Sequence, residues 1–259
     1  MRQFILADEQ LNRDEIELRD DDFRYLSKVL RLNAGDDFPA VDKTGRRYRL
    51  TIKAVEEDCL KISCSESDDP PASNTDEKTE IILVQCLPKG KKLEQIVRQS
   101  VEAGVDMIIP VESENSVAVI REERNEKKQR RLEKIAEEAA QQSGNPGVPD
   151  ITSAVKIKDL PEILNQRGFD GIKLFFHQDR LDKASLHGYL NSCPSGLVIL
   201  IGPEGGISPA ETDFLLASGF HPVYLGENVL RTETAAIFAL GAVKTILLEK
   251  DKWITEFRE

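Results

Sequence analysis

The sequence is poor in the residues that build metal centres and disulfide frameworks. Its 259 residues include three histidines and four cysteines, and Cys59, Cys64, Cys86 and Cys193 show no paired CxxC spacing. Scattered histidines and unpaired cysteines argue against a zinc site. We therefore expect no metal, and we expect free thiols of a reducing cytoplasm rather than disulfides.

Long apolar runs are also missing. The longest run of apolar residues and glycine, Ala235 to Val243, has nine residues, whereas a helix that spans a bilayer needs roughly 20. The first ten residues, MRQFILADEQ, include acidic side chains where an export signal would be apolar. These absences predict a cytoplasmic protein with no membrane partner.

Positive charge is in overall deficit, with 35 Lys and Arg against 46 Asp and Glu and a net charge of −11. Such a balance argues against nucleic acid as a partner of the whole surface. Two segments of the chain carry a net positive charge instead. Eight basic residues and five aspartates between Asp21 and Lys53 give a net +3, and four basic residues and one glutamate between Pro88 and Arg98 also give +3. Each segment is either a nucleic-acid patch or a chance cluster on a solvated surface, and composition leaves both open.

A polar segment separates two parts of the chain. Ser65 to Glu80, SESDDPPASNTDEKTE, has two prolines and almost no apolar residue, which is typical of a linker, so we place a boundary near residue 75. Before it, Tyr48–Val55 and Cys59–Cys64 alternate apolar and polar residues around a turn at Glu56–Asp58. This pattern predicts a β-hairpin with basic side chains on its exposed face. Small β-barrels of this kind often bind oligonucleotides.

Apolar strands and amphipathic helices alternate after the linker. The predicted strands are Ile81–Leu87, Met107–Val111, Ile172–Phe176, Leu197–Ile201 and His221–Leu225, and the predicted helices are Lys91–Ala103, Glu123–Gln142, Pro209–Gly219 and Thr234–Glu249. Ser208-Pro209-Ala210-Glu211 has the pattern of a capping box with proline at the first helical position. The alternation predicts an α/β domain with a mostly parallel sheet.

Three loops follow predicted strands, where open α/β sheets bind their ligands. They are FFHQDR, IGPEGGIS and LGENVLRTETA, and the sequence contains none of the fingerprints of dinucleotide-binding folds, P-loops, α/β-hydrolases or zincins. Glycines let the backbone of Gly202 to Gly206 approach a ligand closely. Because this loop has no lysine, it suits a neutral or cationic ligand better than a triphosphate. Taken alone, it is better explained as a structural turn at a tight strand–helix joint.

Four collinear segments together resemble the RsmE type of SPOUT methyltransferase. They are YLSKVLRLNAGD, LPKGKKLEQIVRQSVEAGVDMIIPVESENSV, KIAEEAAQQSG, and IGPEGGISPAE followed by LGENVLRTETAAIFAL. That family methylates N3 of a uridine in the 16S ribosomal RNA of the small (30S) subunit, with S-adenosylmethionine (SAM) as donor. The resemblance implies a PUA-like β-barrel that binds RNA over residues 1–74 and a trefoil-knotted α/β domain over residues 75–259, a rare exception to unknotted topology. It also implies a homodimer with its active site at the subunit interface.

The resemblance further implies a SAM site built from the three loops, with apolar contacts to the adenine ring. The expected donor contacts are Phe176, His177, Ile201, Gly202, Pro203, Glu204, Gly205, Gly206, Leu225, Gly226, Val229, Leu230, Thr232 and Thr234. The two threonines are also expected to cap the last helix, and His177 is better explained as an ordinary loop histidine than as a catalytic one. Arg231 is the expected catalytic residue, because a fixed guanidinium would stabilise the charge of a uracil that has lost its N3 proton. Glu233 is the nearest base or orienting group, unless Arg231 and Glu233 pair only to fix the loop.

RNA contacts are expected from the basic segments and from the helix end EAAQQSG. The residues are Lys28, Arg31, Arg47, Lys89, Lys92, Gln142 and Ser143. The chain departs from the family pattern at three places, since Gly226-Glu227-Asn228 replaces a basic triplet, Asn145 replaces an arginine and Tyr25 stands near the place of a histidine. Each change removes positive charge or a polar group along the expected RNA path. Another SPOUT enzyme acting on tRNA or on a ribose 2′-hydroxyl, and a non-catalytic RNA-binding assembly factor, therefore remain alternatives; no motif supports a nucleotide-dependent metabolic enzyme.

Overall fold

The structure is a computed structural model. It describes residues 4–6, 10, 15–42, 46–67, 79–120, 122–145, 147–181, 184–192 and 194–256, with backbone alone for 21, 122–124, 192 and 250–256. Its contacts divide the chain into one unit of Met1–Asp76 with Ala140–Val148 and a second unit of Glu77–Ala139 with Pro149–Glu259. Most of the predicted linker, like Cys193, lies outside the described residues.

The described residues of the first unit form a sheet of five strands. They are β1 (Phe4–Ile5), β2 (Glu15–Leu18), β3 (Asp37–Val41), β4 (Arg47–Val55) and β5 (Leu60–Glu66), in the order β1-β3-β4-β5-β2. A short helix α1 (Asp20–Arg24) continues into a π-helical turn at Tyr25–Val29. Antiparallel β4 and β5 form the predicted hairpin, with a register shift between Ile52 and Ala54. Its alternation is confirmed, because Leu50 and Ile52 point into the core while Arg49 and Lys53 are exposed.

The second unit is a parallel sheet covered by helices, as predicted. The strands are β6 (Glu80–Cys86), β7 (Met107–Glu112), β8 (Asp150–Ile151), β9 (Val155–Lys156), β10 (Ile172–His177), β11 (Gly196–Ile201) and β12 (His221–Tyr224). The helices are α2 (Lys92–Glu102), α3 (Glu122–Ser143), α4 (Leu160–Gln166), α5 (Leu186–Tyr189), α6 (Pro209–Ala217) and α7 (Thr232–Glu256), and the last residues of α3, from Ala140, belong to the first unit. The sheet order is β12-β10-β11-β6-β7-β8, and β9 pairs with β7. Every residue of β11 is buried, which explains why this central strand is a continuous apolar run.

Helix ends follow their local signals. Ser208 and Glu211 form the predicted capping box at the start of α6, with both reciprocal hydrogen bonds present. Gly104 follows the C-cap of α2 with φ of +78°, the left-handed conformation that favours glycine. There the Lys244 ammonium donates to the carbonyl oxygens of Ala103 and Gly104 at 2.6 and 3.1 Å. Lys244 of α7 therefore caps the C-terminus of α2, on which α7 packs.

Just before α7, the chain passes back across the carboxyl ends of the parallel strands. Strand β12 lies at one edge, yet the first residue of α7, Thr232, contacts Gln85 of β6 and Gly202 after β11. The segment from Leu225 to Arg231 must therefore pass back across the carboxyl ends of the neighbouring strands. This crossing places three loops together at that edge. Among the described residues, no helix combines the length and apolar character needed to cross a membrane.

The cysteines of the described chain are free thiols. Cys59 and Cys86 are buried, and Cys64 is half-buried. Burial raises the pKa of the Cys86 thiol to about 12, so this side chain stays protonated at neutral pH. Cys86 is therefore an inert core residue.

Candidate active site

A cavity of about 290 Å³ opens at the carboxyl ends of β10, β11 and β12. We call it the glycine-loop cavity. Its lining consists of Phe176, His177, Gln178, residues 201–207, Leu225, Gly226, residues 228–232 and Ala235. The structure thus brings together all the expected donor contacts except Thr234, whose side chain is exposed on α7. Gln178, Ile207, Asn228 and Ala235 complete the lining and were not predicted.

The glycine loop, residues 202–206, is held from behind by Asn115. Its side-chain amide donates to the carbonyl oxygens of Gly205 and Gly206, both at 3.1 Å. A Cβ added at Gly205 would lie 2.9 Å from the Asn115 Cβ, closer than two such carbons approach. The absent side chain of Gly205 therefore makes room for Asn115. Asn115 stands 90 residues before Gly205, so no local sequence pattern identified it.

Thr232 fastens the same loop to the start of α7. Its hydroxyl donates to the Gly202 carbonyl oxygen at 2.7 Å and accepts from the Gln85 side-chain amide at 3.0 Å. The same Gln85 nitrogen donates to the carbonyl oxygen of Cys86 at 2.9 Å. Thr232 is 4% exposed and Gln85 is fully buried. Thr232 lines the cavity as predicted, but its hydroxyl serves the protein's own framework, and its partner Gln85 was missed.

Arg231 lies on the cavity wall with an exposed side chain. Among the described residues, no hydrogen bond or ion pair engages its guanidinium. Glu233 does not line the cavity; its carboxylate, 14% exposed, has an oxygen 3.1 Å from the Lys92 ammonium. The alternative in which Arg231 and Glu233 pair to fix the loop is therefore wrong. Arg231 keeps its five donors available to a ligand.

Lys92 bridges two carboxylates rather than standing free on the surface. Its ammonium lies 2.9 Å from Glu204 Oε1 and 3.1 Å from Glu233 Oε2. The Glu204 carboxylate also accepts the backbone N–H of Lys89 at 3.2 Å. Glu204 belongs to the glycine loop and Glu233 to the first turn of α7. The ammonium therefore joins the glycine loop to the start of α7.

Lys92 and Glu204 of the bridge are both charged at neutral pH. Contact with the Glu204 carboxylate, and then with that of Glu233, raises the pKa of Lys92 above 10.5. Burial alone would raise the pKa of Glu204, but hydrogen bonds from Lys92 and from backbone N–H groups lower it below 4.5. The charged Glu204 carboxylate contributes its full stabilisation of the fold above pH 4.5, and the charged Lys92 ammonium does so below pH 10.5. Both therefore stabilise the fold throughout that window. The bridge is lost in acid, as the pH falls through the lowered pKa of Glu204, and in strong base, as the pH rises through the raised pKa of Lys92.

His177 has a structural hydrogen bond at the end of β10. Its Nδ1 accepts the backbone N–H of Asp179 at 3.0 Å, so the neutral ring carries its proton on Nε2. The imidazole also meets the Phe175 ring edge-on, with 6.3 Å between centroids. These contacts suit an ordinary loop histidine that lines the cavity.

The residues predicted to contact RNA are all on or near the surface. In the first unit, Lys28 and Arg31 are exposed and Arg47 is half-buried on β4; Arg31 has φ of +55°. Gln142 and Ser143 are exposed at the end of α3. In the second unit, the Lys89 side chain is exposed, whereas Lys92 is committed to the bridge.

Known proteins resemble this chain along most of its length. The family model of an RNA methyltransferase domain matches residues 75–244, and that of an RNA methyltransferase PUA domain matches residues 18–62. Proteins named ribosomal RNA small subunit methyltransferase E align from Bacillus subtilis (29% identity, 90% of this chain, 91% of theirs) and from Aquifex aeolicus (30%, 85% and 90%). A crystal structure of the Neisseria gonorrhoeae enzyme of that name, bound to SAM, has a TM-score of 0.78 with 27% identity, covering 95% of this chain and 98% of its own. These likenesses confirm the predicted fold class, a knotted parallel-sheet domain with a PUA-like N-terminal domain.

Proposed function

We propose a function from family membership and from the glycine-loop cavity, since the chain belongs to the RNA methyltransferase family that carries an N-terminal PUA domain. It transfers a methyl group from SAM to N3 of a specific uridine in 16S ribosomal RNA. The observation that carries this proposal is Arg231, a guanidinium without a protein partner among the described residues, on the wall of a cavity at the carboxyl edge of the sheet. The named relatives act on small-subunit ribosomal RNA, and one of them binds SAM.

The cavity fits SAM in size and chemistry. Its volume of about 290 Å³ is near the lower end of the range of small-molecule pockets, roughly 300 to 1,000 Å³. The glycine loop offers backbone amides and carbonyls, while Leu225, Val229 and Leu230 offer an apolar surface for an adenine ring. When bound, SAM supplies an electrophilic methyl group attached to a cationic sulfonium. The lining contains no lysine, so it suits a cationic ligand better than an anionic one.

Arg231 acts on the acceptor base. Uracil N3 carries a proton, and it becomes a good nucleophile only when that proton leaves. In the balanced reaction, N3 would lose its proton to water and form a bond with the methyl carbon. The bond from that carbon to sulfur would break, leaving S-adenosylhomocysteine. Negative charge gathers on the uracil oxygens as the proton leaves. Fixed guanidinium donors stabilise that charge and orient the ring. Glu233, outside the cavity lining and paired with Lys92, serves as an orienting group rather than as the base.

RNA is held by surface residues of both units. Lys28, Arg31 and Arg47 of the first unit and Lys89 of the second supply phosphate contacts, and Gln142 and Ser143 add polar contacts. Such contacts position the RNA without reading its sequence. Loss of any one cation should weaken binding broadly and reduce its salt dependence by about one charge. The acceptor is the 30S subunit, and the protein therefore works in the cytoplasm.

The protein works as a homodimer, and α7 supplies the support for this. Its exposed face carries no charge over more than four turns, with members spaced three and four residues apart: Thr234, Phe238, Gly241, Thr245 and Leu248. Phe238 and Leu248 are 53% and 60% exposed. A second copy of the same helix would cover this apolar face, as expected of a two-fold dimer. The face begins three residues after Arg231, so the dimer would form beside the glycine-loop cavity.

Phe238→Glu tests the dimer. Light scattering after gel filtration should give twice the chain mass for the wild type and a single chain mass for this variant. Leu216→Glu is the matched control, because Leu216 is an exposed leucine on α6, 40% accessible, away from this face. Dissociation of both variants, or of neither, would contradict a dimer formed through α7.

Arg231→Ala and Arg231→Lys test the catalytic assignment. With 30S subunits that lack the modification, the alanine variant should bind SAM with near wild-type affinity and lose at least about 100-fold in kcat, the usual effect of removing an oxyanion donor. Lysine keeps the charge but not the planar fork, so it should recover only part of the rate. A wild-type rate in Arg231→Ala would exclude this role, and a wild type that fails to bind SAM would exclude the proposed function.

A further inference from the structure

Lys92 lies among the basic residues of the second basic segment, where sequence position alone assigns it to RNA. Its surroundings differ from those of its neighbour Lys91. Lys91 is exposed, and among the described residues no ion pair engages it. The Lys92 side chain is 32% exposed and lies against Glu204 and Glu233, which are 25% and 14% exposed. The ammonium is outnumbered by its two carboxylate partners, so it offers little positive charge to a phosphate.

The two carboxylates belong to two elements that are far apart in sequence, the glycine loop and α7. Glu204 is the central residue of the glycine loop, and Glu233 lies two residues after Arg231 in the first turn of α7. Without the ammonium, two partly buried like charges would be left close together, and like charges repel strongly where water is partly excluded. The repulsion would push the glycine loop away from the start of α7.

A second contact between the glycine loop and the start of α7 is an uncharged hydrogen bond. Thr232 joins the start of α7 to Gly202 through a hydrogen bond of 2.7 Å. Thr232 therefore fixes one end of the loop, and Lys92 fixes its middle through Glu204. The backbone of Arg231 immediately precedes both anchors on α7. Its carbonyl oxygen accepts the N–H of Ala235 at 2.8 Å, so it also belongs to the helical hydrogen-bond pattern.

We propose that Lys92 is a positioning residue of the donor site, holding the glycine loop against the first turn of α7 and thereby fixing Arg231. This role deepens the proposed function and rests on it. The bridge sets both the shape of the SAM wall and the place of the catalytic guanidinium. Its loss should raise the SAM dissociation constant and lower kcat, while the KM for 30S subunits stays unchanged.

Lys92→Met and Lys91→Met separate this role from RNA binding. Both variants remove one positive charge from neighbouring positions in an acidic protein, with the same replacement side chain. SAM binding is measured by calorimetry without RNA, and 30S binding is measured across a salt series. Lys92→Met should weaken SAM binding by about tenfold and leave the salt slope unchanged. Lys91→Met should bind SAM like the wild type.

Glu204→Gln provides the coupling test and a second route if Lys92→Met fails to fold. In the wild type it removes one end of the bridge and should weaken SAM binding. In the Lys92→Met background it removes the repulsion, so it should recover part of the lost affinity rather than add to the loss. A direct contact of Glu204 with SAM, independent of Lys92, would give additive losses.

Two outcomes would overturn the role of Lys92. One is wild-type SAM affinity in Lys92→Met together with weakened 30S binding and a smaller salt slope, which would assign Lys92 to RNA. The other is additive losses in the Glu204→Gln pair. Failure of the proposed function has a different signature, because the wild type itself would then not bind SAM.

Discussion

Thr232→Val removes one hydroxyl from the centre of the site while keeping the shape of the side chain. The change deletes the 2.7 Å hydrogen bond to the Gly202 carbonyl and the 3.0 Å hydrogen bond from Gln85. Gln85 keeps its bond to Cys86, but one of its N–H groups and the Gly202 carbonyl lose their partner. An unsatisfied buried polar group costs about 1 to 3 kcal/mol. Because Gly202 is only partly buried, we expect a total loss of about 2 to 4 kcal/mol.

The assay is the free energy of unfolding in urea, measured without SAM. Thr232→Ser is the control, since it retains the hydroxyl and loses only one buried methyl group, at a cost of about 1 kcal/mol. Thr232→Val should therefore be the less stable variant by at least 1 kcal/mol or so. It should also bind SAM more weakly, because the glycine loop is released from α7.

A different result would refute this reasoning. If Thr232 served only as a donor contact, its replacement would change SAM affinity and leave the stability of the ligand-free protein unchanged. Equal stabilities of the valine variant and the wild type would show that the hydroxyl does not hold the loop.

Two further changes test the framework around the site. Lys244→Met removes the cation that caps the C-terminus of α2. Charge-assisted hydrogen bonds of this kind contribute about 1.5 to 3 kcal/mol, so the melting temperature should fall by several degrees. An unchanged melting temperature would mean that water replaces the ammonium without cost. Gly205→Ala places a methyl group 2.9 Å from the Asn115 Cβ, so we expect about 1 to 3 kcal/mol of strain and weaker SAM binding in calorimetry. Wild-type SAM affinity in that variant would contradict the close packing of Asn115 on the loop.

Local signals in the sequence predicted most elements of the second unit. The capping box at Ser208, the glycine after α2 and the apolar run of β11 each depend on a few neighbouring residues, and each is confirmed. The short strands β8 and β9, of two residues each, were missed because two residues show no periodicity. Helix α7 begins at Thr232 rather than Thr234, since helix ends are the least certain part of a pattern.

The sequence predicted the residues that line the cavity but not the residues that hold its loops in place. The resemblance identified the three loops, and the structure brings them together. Gln85, Asn115 and the bridge of Lys92 could not be predicted, because each contacts a residue that is between 90 and 147 positions away in sequence. Lys92 shows the physical reason most clearly: a basic segment indicates charge, but only the fold shows whether carboxylates already neutralise it.

The position of the transferred methyl group tests the central claim most directly. Wild-type protein, labelled SAM and 30S subunits that lack the modification are incubated, and the ribosomal RNA is digested and mapped by mass spectrometry. We expect one methyl group on uracil N3 of a single 16S nucleotide, absent with Arg231→Ala. A methyl group on a ribose 2′-oxygen or in tRNA, or no transfer despite SAM binding, would contradict the assignment and point to the substitutions at Glu227, Asn228 and Asn145 as a change of substrate.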